Sequence, residues 1–558
     1  MDTSLRRWAV IVSVLPLLLA TACSSSPAKE GSQGVTPVKE GGQIVIGAEQ
    51  EPDCTDWIAT CAGSIWGTYI MQSATIPSVF NVREDGGSWV PEISSMMASE
   101  PTVEQAGDQQ VVTYRLNPKA VWSDGEPITS ADLKYTALQI RDSDDIFDRT
   151  GYDRIVGIDT PDPSTAVVTL DSSYAGWRTL FSSAYGVLPA HLLEGKDRAA
   201  IMKDGYSFSG GPWVIESWKR GVSVTLVPNE NYWGEKPHLD KVIFQFLPDT
   251  AAAFQALRSG QVDALYPSPQ LDALSQIEAG VPGTRSEIEP QSGNLEALWM
   301  NNEAFPFDSQ AVRQAFAYSI DRPAIVKRLF GSLDLSEPAQ SFLTPLVSTF
   351  ASDDFSQYSL DLDKVEELMT ADGWAKGGDG VWAKDGKAAE FTILTLAGNK
   401  RRDLTVQILQ AQLAEAGFTM AIKTVTPADL FGKLAPAGDF QLGLYTLIDT
   451  YPDPALSASF DSKNIPTDAN GNSGINFARA NVPGLDDLLE SVDTEVDEAK
   501  RIAASQEADQ LIAEAVPSLP LQILPSVLLW SEKVGGPLSI NPVQGPFWNL
   551  EEWGLAAE

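Results

Sequence analysis

The chain has 558 residues, with 75 acidic side chains against 39 basic ones and a formal net charge of −36. Such a surface repels a polyanion, which argues against a nucleic-acid partner, while dispersed acidic charge is enough to keep an exported protein in solution. Two histidines, His191 and His238, and three cysteines leave little for a metal cluster or a histidine-based triad.

Arg6 and Arg7 precede an apolar run over residues 8–19 that is too short to span a bilayer comfortably, and small residues then lead to Cys23. Residues 1–22 therefore read as a secretion signal. Residues 23–40, rich in Ser, Gly, Pro, Lys and Glu, have almost nothing to bury and predict a disordered tether with a reach of roughly 20–25 Å. The remaining 520 or so residues exceed what one core organises. GGQIVIG over 41–47 predicts the first strand, and an acidic, aromatic stretch with Glu51, Asp56 and Trp57 follows. Within it, Cys54 and Cys61 form an even, closely spaced pair, which in an exported chain reads as a disulfide contributing roughly 2–3 kcal/mol. A metal site is the alternative, and it lacks a nearby histidine.

A second block runs over 75–204. Val111 to Leu116 predicts a strand, SDGEP a turn, and Ser130 the cap of a helix with Leu133, Ala137 and Ile140 on one face. The stretch 210–265 reads as hairpin, strand, helix, strand. Val224 and Leu226, then Val242, Phe244 and Phe246, alternate at period two, Asp249 or Thr250 caps a helix with Phe254 and Leu257, and Gly260 ends it before Val262. Such a crossover implies parallel neighbours in a sheet. Further on, Leu295, Ala297 and Trp299 predict a strand, and helices begin at Asp308, Asp321 and Asp361. Phe391 to Leu396 predicts a strand, residues 398–402 a basic loop with Lys400, Arg401 and Arg402, and 404–416 a helix.

GPW, NENYWG, KPHLDKV and SGQVDAL, in this order, resemble the core of the family 5 extracellular solute-binding proteins, the peptide- and nickel-type receptors of ABC importers. YRLNPKAVWSDGEPITSADLKYT and VLPAHLL add to the resemblance, which covers nearly all of the chain beyond the tether. It implies an α/β, two-lobed periplasmic-binding-protein-like fold with an extra domain, mixed sheets flanked by helices and two interlobe connections. Lobe I takes 41–75, 205–294 and 520–558, domain II takes 76–204 and lobe III takes 295–519. The strand with Trp299 and the apolar stretch 517–530 are the two connections.

LATAC resembles a bacterial lipobox, which would make Cys23 a lipidated residue holding the protein to the cell membrane, although Ala20 stands where leucine is commonest. A simple secretory signal with an incidental cysteine is the alternative. For ligand contacts the resemblance implies Glu51 near a cationic group and one of Lys400, Arg401 and Arg402 on a carboxylate. It also implies an aspartate for a free amino group. The family position is Thr450 here, and Asp449 stands one place earlier. Tyr445, Tyr451 and Trp299 would wall the cleft. A solvated loop is the competing reading for Glu51 and for 400–402. The expected function is capture of a small solute, above all a short peptide, by hinge closure of a monomer that delivers it to a permease, with no metal or cofactor. An exported hydrolase is the rival class, but there is no G-x-S-x-G or H-E-x-x-H, and only a glycosidase-type carboxylate pair stays open. A sensor or receptor for an oligosaccharide, nickel complex or haem on the same fold is the third reading.

Overall fold

The hairpin, strand, helix and strand predicted over 210–265 supply four strands of a seven-stranded mixed sheet, with Trp213–Lys219 at its edge. The structure, a computed structural model, describes residues 35–85, 88–448 and 451–557. Trp213–Lys219 and Ser223–Pro228 form the hairpin, and Lys241–Phe246 continues it antiparallel. The Thr250–Ser259 helix is capped by Asp249, whose side chain accepts from the Ala252 N–H, and it stops at Gly260, which takes the left-handed φ of 72°. Strands Lys241–Phe246 and Ala264–Leu265 are parallel to each other but not adjacent. The first strand, Gln43–Ala48, runs between them and pairs with both. The crossover therefore skips one place, because the sheet's earliest strand already occupies it.

The second block is a four-stranded antiparallel sheet backed by the Ser130–Asp142 helix. Thr129, not Ser130, is the cap, and the Asp132 carboxylate reaches back to accept from the Thr129 N–H at 2.7 Å. Trp122 is fully buried in this block's core. His191 meets Asp124 at 2.9 Å and His238 meets Glu40 at 2.7 Å, so each histidine pairs with a carboxylate.

The third sheet has the order Thr419–Val425, Glu390–Leu396, Leu442–Ile448, Asn294–Met300, Ser518–Ile523. Asn294–Met300 has antiparallel neighbours on both sides and is buried from Leu295 to Met300, so both of its faces are interior. The basic residues 400–402 are not a loop. They form the first turn of the Lys400–Ala416 helix, where Asn399 accepts from the Arg402 N–H at 3.0 Å.

The chain crosses between the seven-stranded and five-stranded sheets twice, after Thr284–Glu289 and again between Ser518–Ile523 and Ser526–Ser531. The crossings touch. Leu524 N–H donates to the Asn294 carbonyl at 2.9 Å and Ser292 Oγ donates to the Leu524 carbonyl at 2.5 Å. At the other end of the first lobe, Val38–Lys39 pairs antiparallel with Gly554–Ala556. The expected tether therefore ends earlier than residue 40, because a strand more than 500 residues away in sequence takes up its last part. Cys23 lies outside the described residues. Among the described residues, no helix is long and apolar enough to cross a membrane.

Candidate ligand-binding cleft

The disulfide loop builds one wall of the cleft. Cys54 and Cys61 are bonded with Cα atoms 5.6 Å apart, and the Asp53 carboxylate accepts from the N–H groups of Cys54, Gly63 and Ser64 at 2.9–3.3 Å. Asp56 is buried against Arg198, which donates from Nε at 2.9 Å. Burial raises the Asp56 carboxyl above its ordinary value, and the Arg198 charge opposes this. With both ends fixed, Trp57 is presented between them and donates from Nε1 to Tyr206 at 2.9 Å. Gly67 is what lets the ring come this close to the following helix, since a Cβ there would stand 2.6 Å from it.

Between this wall and the third sheet is a cavity of about 290 Å³. Trp299, Tyr445 and Tyr451 line it from the third sheet's side, and Trp57, Phe147 and Tyr185 line it from the other. Trp299 and Tyr445 stack at 5.1 Å and 8° between planes, and Trp299 Nε1 donates to the Tyr445 carbonyl at 3.1 Å. Phe431 meets Tyr445 edge-on at 5.4 Å. The Tyr445 hydroxyl is buried with no hydrogen-bond partner. Tyr451 donates its hydroxyl to the Trp89 carbonyl across the cleft. Ligand pockets are commonly apolar with a few convergent polar groups, and this chamber fits that description.

A second chamber of about 180 Å³ adjoins the first, sharing Gly63, Ile65, Phe431, Thr446 and Ile448 with it. Arg401 and Arg402 line it. Their partner is Glu296, a fully buried carboxylate inside the LEALWM strand. Arg402 donates to it from Nε at 3.0 Å and from Nη2 at 2.8 Å, Arg401 from Nη2 at 3.1 Å, and Thr446 from Oγ1 at 2.7 Å. Burial alone would raise the Glu296 carboxyl, but the charges of Arg401 and Arg402 and the added hydrogen bonds bring it down to about 2. Arg401 is lowered from the ordinary arginine value by its own burial, with Glu296 opposing, and its Nε is buried without a partner.

The expected contacts thus separate. Trp299, Tyr445 and Tyr451 line the larger chamber. Glu51 lines neither chamber, because its carboxylate accepts from Trp218 Nε1 at 3.0 Å and the Gly221 N–H at 3.0 Å and so braces the hairpin turn. Lys400 pairs with Asp272 at 2.9 Å across the two lobes. Arg401 and Arg402 are internal partners of Glu296 rather than solvated residues. Asp449 lies outside the described residues. Sequence reading missed Trp57, Asp148, Phe431 and Glu296. For Glu296 a signal existed, a lone carboxylate in an apolar strand that calls for a buried cation. Among the described residues, no group of three or more His, Cys, Asp or Glu is placed to hold a metal.

Away from both chambers, residues 154–175 are joined to the Leu485–Thr494 helix. Arg154 donates to Glu490 at 3.0 and 2.6 Å and lies 3.4 Å from Asp493, while the Ala175 N–H donates to the Asp493 carbonyl at 2.7 Å.

Two lobes joined by paired crossings, with a chamber between them, have the fold of the periplasmic binding proteins. The chain belongs to the bacterial extracellular solute-binding proteins, family 5, whose middle region matches residues 92–466. It is 27% identical over 468 residues to the oligopeptide-binding protein OppA of Mycobacterium tuberculosis, covering 82% of this chain and 76% of that one. Its fold is similar to the oligopeptide-binding protein AppA of Bacillus subtilis, solved with a nonapeptide (TM-score 0.81, 21% identity, 93% of this chain and 100% of the other). It is also similar to NikZ of Campylobacter jejuni, solved with Ni(L-His) (TM-score 0.76, 22% identity, 92% and 99%). The protein is a binding component of an ABC transporter and not an enzyme.

Proposed function

We propose that the chain captures a short peptide between its lobes and hands it, as a monomer in the closed form, to an ABC permease. The aromatic-walled chamber between the lobes carries this reading, and the peptide ligands named for OppA and AppA support it. Trp299, Tyr445 and Tyr451 take the apolar parts of the ligand. Arg401, which has an unpartnered Nε beside the second chamber, takes its carboxylate. A peptide stripped of water needs a partner for each charged end, or desolvation costs several kcal/mol. Native mass spectrometry of the purified protein is expected to show retained mass that fragments as amino acids. Retained mass that fragments as a sugar or a metal chelate would overturn the peptide reading.

The tether is part of the same proposal. Lipidation of Cys23 would hold the receptor at the membrane that carries the permease. Cys23→Ser is expected to move the protein from the membrane fraction to the soluble fraction on fractionation of expressing cells. Persistence in the membrane fraction would count against a lipid at this position.

A further inference from the structure

Among the described residues, the larger chamber is lined by one carboxylate and by no basic side chain. The carboxylate is Asp148, in the loop after the Ser130–Asp142 helix. Oδ1 accepts from the Thr150 N–H at 2.9 Å and from Thr150 Oγ1 at 2.7 Å, so the group is fixed in orientation. Oδ2 accepts from the Tyr185 hydroxyl at 3.1 Å. An ionised carboxylate has about four lone-pair sites, so this one keeps capacity for a guest. Its neighbour in sequence does not neutralise it, because Arg149 turns Nη2 to the Ser143 carbonyl.

The surroundings narrow the choice of guest. Phe147 and Phe477 meet edge-on at 6.4 Å, one from each side of the cleft, and Tyr185 packs against Tyr152 at 5.1 Å. Aromatic faces attract a cation, and they raise the cost of leaving a carboxylate there without one. Asp148 also borders a recess of about 30 Å³ whose other walls include Leu343, Leu456 and Ile475. That space holds a group of one or two heavy atoms. An α-ammonium brings such a group with it, the first residue's short aliphatic side chain. A lysine ε-ammonium brings none.

We infer that Asp148 receives the free α-ammonium of the bound peptide, with a small aliphatic first side chain in the recess beside it. The inference rests on the peptide reading and names the group that selects among peptides. It also moves amino-end recognition from the third lobe, where Asp449 was expected to provide it, to domain II.

The test is calorimetric titration with a pool of tri- to pentapeptides that begin with Ala and continue in Leu, Phe and Ser, beside the same pool acetylated at the amino end. The wild-type protein is expected to bind the free pool at least about tenfold more tightly than the acetylated one, since a charge-assisted bond is lost on acetylation. Asp148→Asn is expected to bring the affinity for the free pool down to that for the acetylated pool, with unchanged thermal unfolding showing that the fold is intact. Asp148→Glu and Asp449→Asn are expected to keep the preference. If Asp148→Asn keeps it, or Asp449→Asn loses it, the ammonium is read elsewhere and the inference falls while the peptide reading stands. If the wild-type protein binds neither pool, the peptide reading itself fails, and this inference with it.

Discussion

Glu296→Gln is expected to lower the stability of the protein by about 3–5 kcal/mol, the scale found when one partner of a buried ion pair is removed. The change is nearly isosteric, so its effect is electrostatic. Arg401 and Arg402 would face each other in the interior without the carboxylate that both now donate to. The effect depends on pH in a defined direction. The Glu296 carboxyl sits at about 2 in the folded protein against an ordinary 4.5. Its contribution is therefore complete above about 4.5 and is lost as pH falls toward about 2. Urea unfolding should show a wide gap between wild type and variant at pH 7 that narrows at pH 3. A gap below about 1 kcal/mol at pH 7 would mean that the guanidiniums find other partners.

The second large effect is expected where Arg154 meets the Leu485–Thr494 helix. Arg154→Met removes the guanidinium that bridges domain II to Glu490 and Asp493. The open form loses nothing comparable, so the equilibrium shifts away from closure, and apparent affinity falls with the closed fraction, by about a hundredfold or more. Titration with whatever ligand mass spectrometry identifies, together with small-angle scattering of the bound protein, reads both consequences. Unchanged affinity with a compact bound form would remove Arg154 from the closing mechanism. Wild-type closure should also respond to pH. Burial and the nearby Asp453 charge raise the Asp493 carboxyl to about 7, against the lowering effects of Arg154 and Lys463. A raised group supports the closed form at low pH, and that support is lost as pH climbs through about 7. Affinity should therefore weaken as pH rises from about 4 to about 7 and level off above that.

What was legible in the sequence was local. Asp249, Asp321 and Asp361 cap helices because a cap needs only the next three residues. The hairpin from Trp213 follows from period-two alternation and the turn at Gly221. The same locality explains the misses. Lys400 to Arg402 read as a solvated loop because Glu296, which draws two of them inward, is more than 100 residues away in sequence. Glu51 is acidic and near the cleft segment, yet its partners Trp218 and Gly221 arrive from a distant hairpin. Asp148 carries no motif at all. It becomes conspicuous only when folding surrounds it with rings from Phe147, Tyr185 and Phe477. Trp299 and Tyr445 were expected at the cleft and both line the larger chamber, but their stacking on each other could not be read from the sequence.

The contact between the two crossings has a consequence for what binding costs. Because Leu524 is bonded to Asn294 and Ser292 to Leu524, the crossings cannot bend independently. Pro290 and Pro525 each fix one backbone torsion beside the joint, and between them the Gln291 N–H donates to Glu289 at 2.8 Å and the Gly293 N–H to the Pro542 carbonyl at 3.1 Å. A joint this constrained is about as ordered when open as when shut. The ligand's contact energy then goes into its own desolvation and fit, with little spent on stiffening a floppy linker. Among variants of this receptor, loosening the joint, for instance by Pro290→Gly, would be felt as an entropic penalty on every ligand alike, without changing which ligand is preferred.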